Sequence, residues 1–187
     1  MKRVIARCNR PLIMGILNVT PDSFFDGGKH NTIEEAVKHA LLMVDDGANI
    51  IDVGGESTRP FSEPVSVEEE LERVIPVIEG IRSKSYIPIS IDTSKAKVAK
   101  EACKVGADIV NDISGFTFDE YMVDTVSKAG VQAVIMHTKG TPKNMQNNPF
   151  YENVISEITE FFKERIAFAD RHGIETVSYT HLTLPTS

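Results

Sequence analysis

The sequence has only two cysteines, Cys8 and Cys103, far apart and in no CxxC pair. That argues against a disulfide framework and a cysteine-based zinc site, and it fits a reducing cytosol. No run approaches the roughly 20 consecutive apolar residues of a membrane helix. The opening stretch MKRVIARCNR is basic but has no apolar core of signal-peptide length. These absences predict a soluble, cytoplasmic globular protein. Positive charge is also short, with 20 Lys and Arg against 27 Asp and Glu and a net charge of -7. An acidic balance argues against nonspecific nucleic-acid binding and against docking on an anionic membrane, while leaving room for a local anion site. No GxGxxG follows the first strand, which counts against a dinucleotide-binding doubly wound sheet.

What is present is a regular alternation. The chain has 187 residues, 41% of them hydrophobic, enough for one domain or most of one. Ile13–Leu17 is an apolar run that stops at Asn18, and a polar loop through Gly28 follows. Such a run bounded by turn residues reads as a strand buried on both faces. Thr32 and Glu35 then predict a capping box for a helix ending at Gly47. The same unit recurs. A strand at Ile50–Gly54 leads to a helix opened by Ser66 and Glu69, with Pro76 inside it as a predicted kink. A strand at Ile87–Asp92 leads to a helix over Ser94–Val105. A strand at Ile109–Ile113 leads to a helix over Asp119–Ala129, and a strand at Val131–Met136 ends at His137. A long helix over Tyr151–Arg171 is predicted to bury Val154, Ile155, Ile158, Phe161, Phe162 and Ile166. Ile174–Val177 begins a sixth strand. Gly47–Asp52 and Gly106–Asn111 are similar (GANIID and GADIVN), so the repeat unit is helix, glycine, buried strand, polar residue. Units spaced roughly 20 to 40 residues apart predict parallel strands with helical crossovers in an α/β (β/α)8 barrel; a doubly wound sheet is the alternative.

In a parallel barrel all strand C-termini open on one face, where such folds keep their sites. Those ends carry Asn18, Asp52, Asp92, Asn111, Asp112 and His137, and the loops beyond add Asp22, Thr58 and Arg59. Singly, each has a structural reading as a turn former or a satisfied buried group. Together they point to a shared polar ligand, because burying so many acids and amides is costly without one. A carboxylate and a carboxamide on consecutive strands, Asp92 and Asn111, suit the N–H and C=O edge of an aminopyrimidinone-like heterocycle. The loop GGESTR, residues 54–59, offers backbone N–H groups, two hydroxyls and a guanidinium, a set that suits phosphate. Asn18 supplies a hard oxygen suited to Mg2+ held jointly with phosphate. His137 reads as an acid/base or phosphate donor, or as polar surface.

IMGILNVTPDSF, IIDVGGESTRP, SIDT, VNDISG and the MH…G.P..MQ pattern of Met136–Gln146 resemble, in order, the dihydropteroate synthase family of pterin-binding enzymes. The resemblance covers about Pro11 to Val177. It implies a (β/α)8 barrel, of which residues 1–177 make about five βα units and the start of strand six. It implies condensation of 6-hydroxymethyl-7,8-dihydropterin pyrophosphate with 4-aminobenzoate, Mg2+ on the pyrophosphate, and a homodimer whose usual surface lies on late helices outside the match. It assigns Asn18 to the metal, Thr58 and Arg59 to the diphosphate, and Asp92 and Asn111 to the pterin as the catalytic pair. It places Asp22 and Phe24 in a loop that closes over aminobenzoate, and Met136 in the substrate-binding set. Phe25 and Phe61 depart from the family pattern. After Val177 the family's Asp-Pro-Gly does not follow, and residues 178–187, SYTHLTLPTS, read as a non-native tail. Two other functions share the pterin site: a methyltransferase domain serving a corrinoid protein, and a non-catalytic pterin-binding module.

Overall fold

The structure, a computed structural model, describes residues 11–20, 28–57, 63–140, 150–174 and 179–181. Six strands form one parallel sheet in sequence order: β1 (Met14–Asn18), β2 (Ile50–Gly54), β3 (Ile89–Asp92), β4 (Ile109–Asp112), β5 (Gln132–Ile135) and β6 (Tyr179–His181). Five helices alternate with them: α1 (Gly28–Asp45), α2 (Val67–Lys84), α3 (Ala96–Val105), α4 (Met122–Ala129) and α5 (Val154–Arg171). Strictly sequential parallel order with a helix in every crossover is the arc of a (β/α)8 barrel; a doubly wound sheet reverses its strand order midway.

Strand side chains alternate between two faces. Leu17, Ile51, Val53, Ile89, Ile91, Val110, Ala133 and Ile135 face the helices, and they pack with Val37, Val74, Ile78, Ile81, Val98, Met122 and Val126. The opposite, inner face carries a smaller cluster of Ile50, Ile109 and Val134 with Leu12 and Met14. Close helix approach depends on glycine at Gly80 of α2, where an added Cβ would stand 2.6 Å from Val37 Cγ2 of α1.

The predicted caps divide. Ser66 caps α2 and accepts from Glu69 N at 3.1 Å. α1, in contrast, begins at Gly28, which puts Thr32 inside the helix instead of at its start. α2 runs unbroken through Pro76. α5 is N-capped by Asn153, whose side chain accepts from Ser156 N, and among its described residues only Ala169 is fully buried. Val154 and Ile155 are exposed, contrary to the predicted burial, and Ile158, Phe161, Phe162 and Ile166 are half-buried. The apolar stripe is there, but the sheet covers only its C-terminal part, around Ala169 and Phe162. β6 also lies later than predicted: Ala133, Val134 and Ile135 of β5 pair with Tyr179, Thr180 and His181. The backbone of these three residues of the segment read as a tail is thus part of the sheet.

At the entry end of the sheet, side chains tie neighbouring strands together. Arg82 donates to the carbonyls of Ile87 and Gly106 and to Asp108 Oδ2 at 2.7 Å, which also accepts from Ile89 N. Asn49 Oδ1 accepts from Ile13 N at 3.0 Å.

Candidate active site

The parallel register sets the strand ends in rows. Asn18 lies beside Gly54, Gly54 beside Asp92, and Asp92 beside Asn111. Two residues back, Ile16, Asp52, Ser90 and Ile109 form the next row. Ile109 belongs to the inner cluster, and a period of two therefore turns Asp52, Ser90, Asp92 and Asn111 to the inner face as well. The sequence reading gathers Asp52, Asp92 and Asn111 at one barrel mouth; the register puts them, with Ser90, on one inner face.

Gly54 keeps that surface open. A Cβ there would lie 3.6 Å from Asp92 Cβ and 3.8 Å from Asn18 Oδ1, so three neighbouring strand ends converge where this residue has no side chain.

Asn111 Nδ2 donates to Asp52 Oδ2 at 3.0 Å, reaching past β3. Asp52 Oδ1, Asp92 Oδ1 and Asn111 Oδ1 are buried and have no hydrogen-bond partner among the described residues. Each is an acceptor when the acids are ionised, and an unpaired buried acceptor costs about 1–3 kcal/mol. A ligand edge rich in N–H donors satisfies all three. Burial pushes the Asp92 carboxyl well above the usual carboxylate range, and the charges of Asp52, Glu70, Asp112 and Glu56 push the same way. Burial also raises Asp52, although the Ser90 hydroxyl and the Asn111 amide partly offset it. The site is therefore short of positive charge and of donors.

Asp112 does something different. Its position in β4 turns it to the helix side, where it is fully buried. Its Oδ1 accepts from Ser114 N at 2.8 Å and its Oδ2 from Phe116 N at 2.9 Å. It holds a turn in which Phe116 adopts a positive φ of 67°. Burial raises its pKa against those hydrogen bonds. The sequence reading that aims it at the common mouth is corrected: it is a turn former one residue out of phase with Asn111.

Met136 and His137 follow β5. Met136 is half-buried two residues past the inward Val134. His137 lies edge-on to Phe161 of α5, with centroids 4.9 Å apart, and 6.0 Å from the Tyr151 ring. Burial lowers its pKa, Lys139 adds to this, and Glu157 opposes it. It thus packs on Phe161 of α5 and on Tyr151 just before that helix. Asp22, Phe24, Thr58 and Arg59, with Phe25 and Phe61, lie outside the described residues.

Among the described residues no group of three or more His, Cys, Asp or Glu is arranged to hold a metal ion. Asn18 Oδ1 at the rim offers one hard oxygen, which suits a cation that takes its other ligands from water and a bound anion. Among the described residues no helix is long and apolar enough to cross a membrane.

Sequence reasoning missed two relationships. Ser90 is found by stepping back two residues from Asp92. Lys95 and Glu70 are signalled by an acid in the buried stripe of α2, which requires a cation from elsewhere.

A family model described as "Pterin binding enzyme" matches residues 14–178. The chain is similar to dihydropteroate synthase of Escherichia coli K12, at 51% identity over 166 residues, 89% of this chain and 58% of that protein. It thus spans under two thirds of the length of that relative. Among solved structures, dihydropteroate synthase of Clostridium difficile with pteroic acid superposes with a TM-score of 0.86 at 44% identity, covering 92% of this chain and 64% of the other. The Xanthomonas albilineans dihydropteroate synthase with 4-aminobenzoic acid gives a TM-score of 0.85 at 43% identity, covering 92% and 61%.

Proposed function

Because the chain belongs to the pterin-binding enzyme family, we propose that it supplies the first part of a dihydropteroate synthase barrel. The reaction joins 6-hydroxymethyl-7,8-dihydropterin pyrophosphate to 4-aminobenzoate and releases pyrophosphate and 7,8-dihydropteroate. The observation that carries this reading is the inward row of Asp52, Asp92 and Asn111 with three unpaired acceptor oxygens. The amino and ring N–H groups of a dihydropterin are the donors such a row lacks.

Each step draws on this chain's own groups. Asp92 and Asn111 anchor the pterin edge, and the buried Asp92 carboxylate opposes the positive charge that develops on the ring. The bond from the exocyclic methylene carbon to the pyrophosphate oxygen breaks, and its electron pair leaves with pyrophosphate. The aminobenzoate nitrogen lone pair forms the new bond to that carbon, and the nitrogen then loses a proton to solvent. Its amine is neutral at neutral pH, so the protein orients it more than it activates it. Thr58, Arg59 and the amides of the turn after β2 bind the departing pyrophosphate, and Asp22, Phe24 and Met136 enclose the aminobenzoate side. Asn18 would hold Mg2+, which supplies charge neutralisation on the pyrophosphate when bound. The complete protein is cytoplasmic, acts on small molecules without nucleic acid or membrane, and is a homodimer. In this reading residues 178–187 are a non-native tail, all but Ser178 of it beyond the family match, and DNA sequence read past codon 177 into Asp-Pro-Gly would support that.

The test is turnover by the complete barrel, followed as 7,8-dihydropteroate by liquid chromatography. Product that depends on both substrates and on Mg2+ supports the synthase. Methyl transfer to a corrinoid protein, or pterin binding with no binding of pyrophosphate, overturns it.

A further inference from the structure

We propose that Lys95 is a positioning residue, which holds the turn after β2 against the rim of the pterin site and thereby sets affinity for the pyrophosphate end of the substrate separately from the pterin end. This rests on the function proposed above.

Lys95 stands three residues past Asp92, at the N-cap of α3. Its ammonium pairs with Glu56, in the turn after β2, and with Glu70 Oε2 of α2 at 2.5 Å. The Glu70 side chain is 1% exposed. A carboxylate that deep is tolerated only beside a cation. Burial by itself would lower the Lys95 pKa, but the two carboxylates outweigh it and hold the group above its ordinary value. The ammonium is thus engaged on both sides by acids of the same chain.

The turn is gripped at each successive residue. Gly54 is in register with Asp92. Gly55 lies flat on α2: a Cβ there would stand 2.7 Å from Val74 Cγ1 and 3.0 Å from Glu70 Cγ. The Gly55 carbonyl also accepts from Arg73 Nη1 at 2.6 Å. Glu56 is the last residue of the three, and its tie is Lys95. Lys95 therefore fixes the direction in which the backbone leaves for Ser57. In the function proposed above the pyrophosphate-binding amides begin there, while Asp92 and Asn111 are carried by β3 and β4, which Lys95 does not hold.

A purely structural role predicts equal losses for both ends of the substrate; a positioning role predicts unequal ones. Glu56→Ala isolates the effect, because it removes the acceptor that ties the turn to Lys95 and leaves the buried Lys95–Glu70 pair intact. In the complete barrel, calorimetry uses two probes: inorganic pyrophosphate with Mg2+, and 6-hydroxymethylpterin, which carries no phosphate. We expect Glu56→Ala to weaken pyrophosphate roughly tenfold and to leave the pterin within about twofold, since displacing a binding group by a fraction of an ångström is costly only for what it contacts. Lys95→Arg keeps a cation beside Glu70 and should retain most of the pyrophosphate affinity, whereas Lys95→Ala strands the buried Glu70 carboxylate and should also lower the melting temperature. Equal weakening of both probes, or of neither, in a Glu56→Ala protein that melts like the wild type overturns the proposal. A wild-type barrel that binds the pterin but not pyrophosphate overturns the phosphate reading of the turn itself, and does so before any substitution is made.

Discussion

Asn111 of β4 donates its side-chain amide to Asp52 of β2, across the intervening strand, at 3.0 Å. That bond decides which way the Asn111 amide faces: Nδ2 is engaged, and Oδ1 is left as an acceptor. We expect Asp52→Ala to release the amide and to weaken pterin binding about tenfold, the range set by leaving a buried donor unpaired. Calorimetry with 6-hydroxymethylpterin measures it; unchanged affinity would show that Asn111 is oriented without Asp52.

Asp92 should cost stability when ionised. Its folded-state pKa lies above its unfolded value, chiefly through burial. At pH values between the two, the native state binds more protons than the unfolded state, and stability falls as pH rises through that window. Asp92→Asn removes the ionisable group, so the variant should melt above the wild type at about pH 8, with the gap closing on acidification toward about pH 4. The same variant should lose pterin binding. Thermal melts across pH, paired with calorimetry, check both halves.

Arg82 makes three side-chain hydrogen bonds that link the end of α2 to the entry ends of β3 and β4. Arg82→Ala should destabilise the fold by about 2–3 kcal/mol, because Asp108 and two carbonyls lose a charged donor in a half-buried setting. Urea unfolding measures the loss. Ligand affinity measured at low temperature, where the variant remains folded, should not change.

Gly55→Ala should be destabilising by about 1–3 kcal/mol through overpacking against Val74 and Glu70. It should also weaken pyrophosphate, because the turn is pushed off α2. Val74→Ala in the same chain makes room for the added methyl and should recover part of both losses.

How much of this was legible follows from where each interaction sits along the chain. Asn18, Asp92 and Asn111 were legible because each ends an apolar run, and parallel register then aligns them. Asp112 was misread for the same reason: it is one residue further along the same strand, and a period of two turns it to the opposite face, where its carboxylate holds the turn at Ser114 and Phe116. Thr32 and Glu35 spell a capping box, yet the helix hydrogen bonds extend one turn earlier, to Gly28. Val154 and Ile155 have the helical spacing of a core face, but spacing reports only that a face is apolar; it carries no information about what lies opposite. The Lys95 network joins residues 25 and 39 positions apart, a separation that no local pattern encodes.

The two ends of the sheet are unlike. At the entry end Arg82, Asp108 and Asn49 tie α2, β1, β3 and β4 into the sheet, whereas on the inner face of the exit end Asp52 Oδ1, Asp92 Oδ1 and Asn111 Oδ1 are buried without a partner among the described residues. Local opening follows the weaker end. Amide hydrogens of one strand should therefore exchange with solvent at graded rates, slow near Ile89 and faster near Asp92, and a ligand seated on the three oxygens should flatten that gradient from the exit end inward.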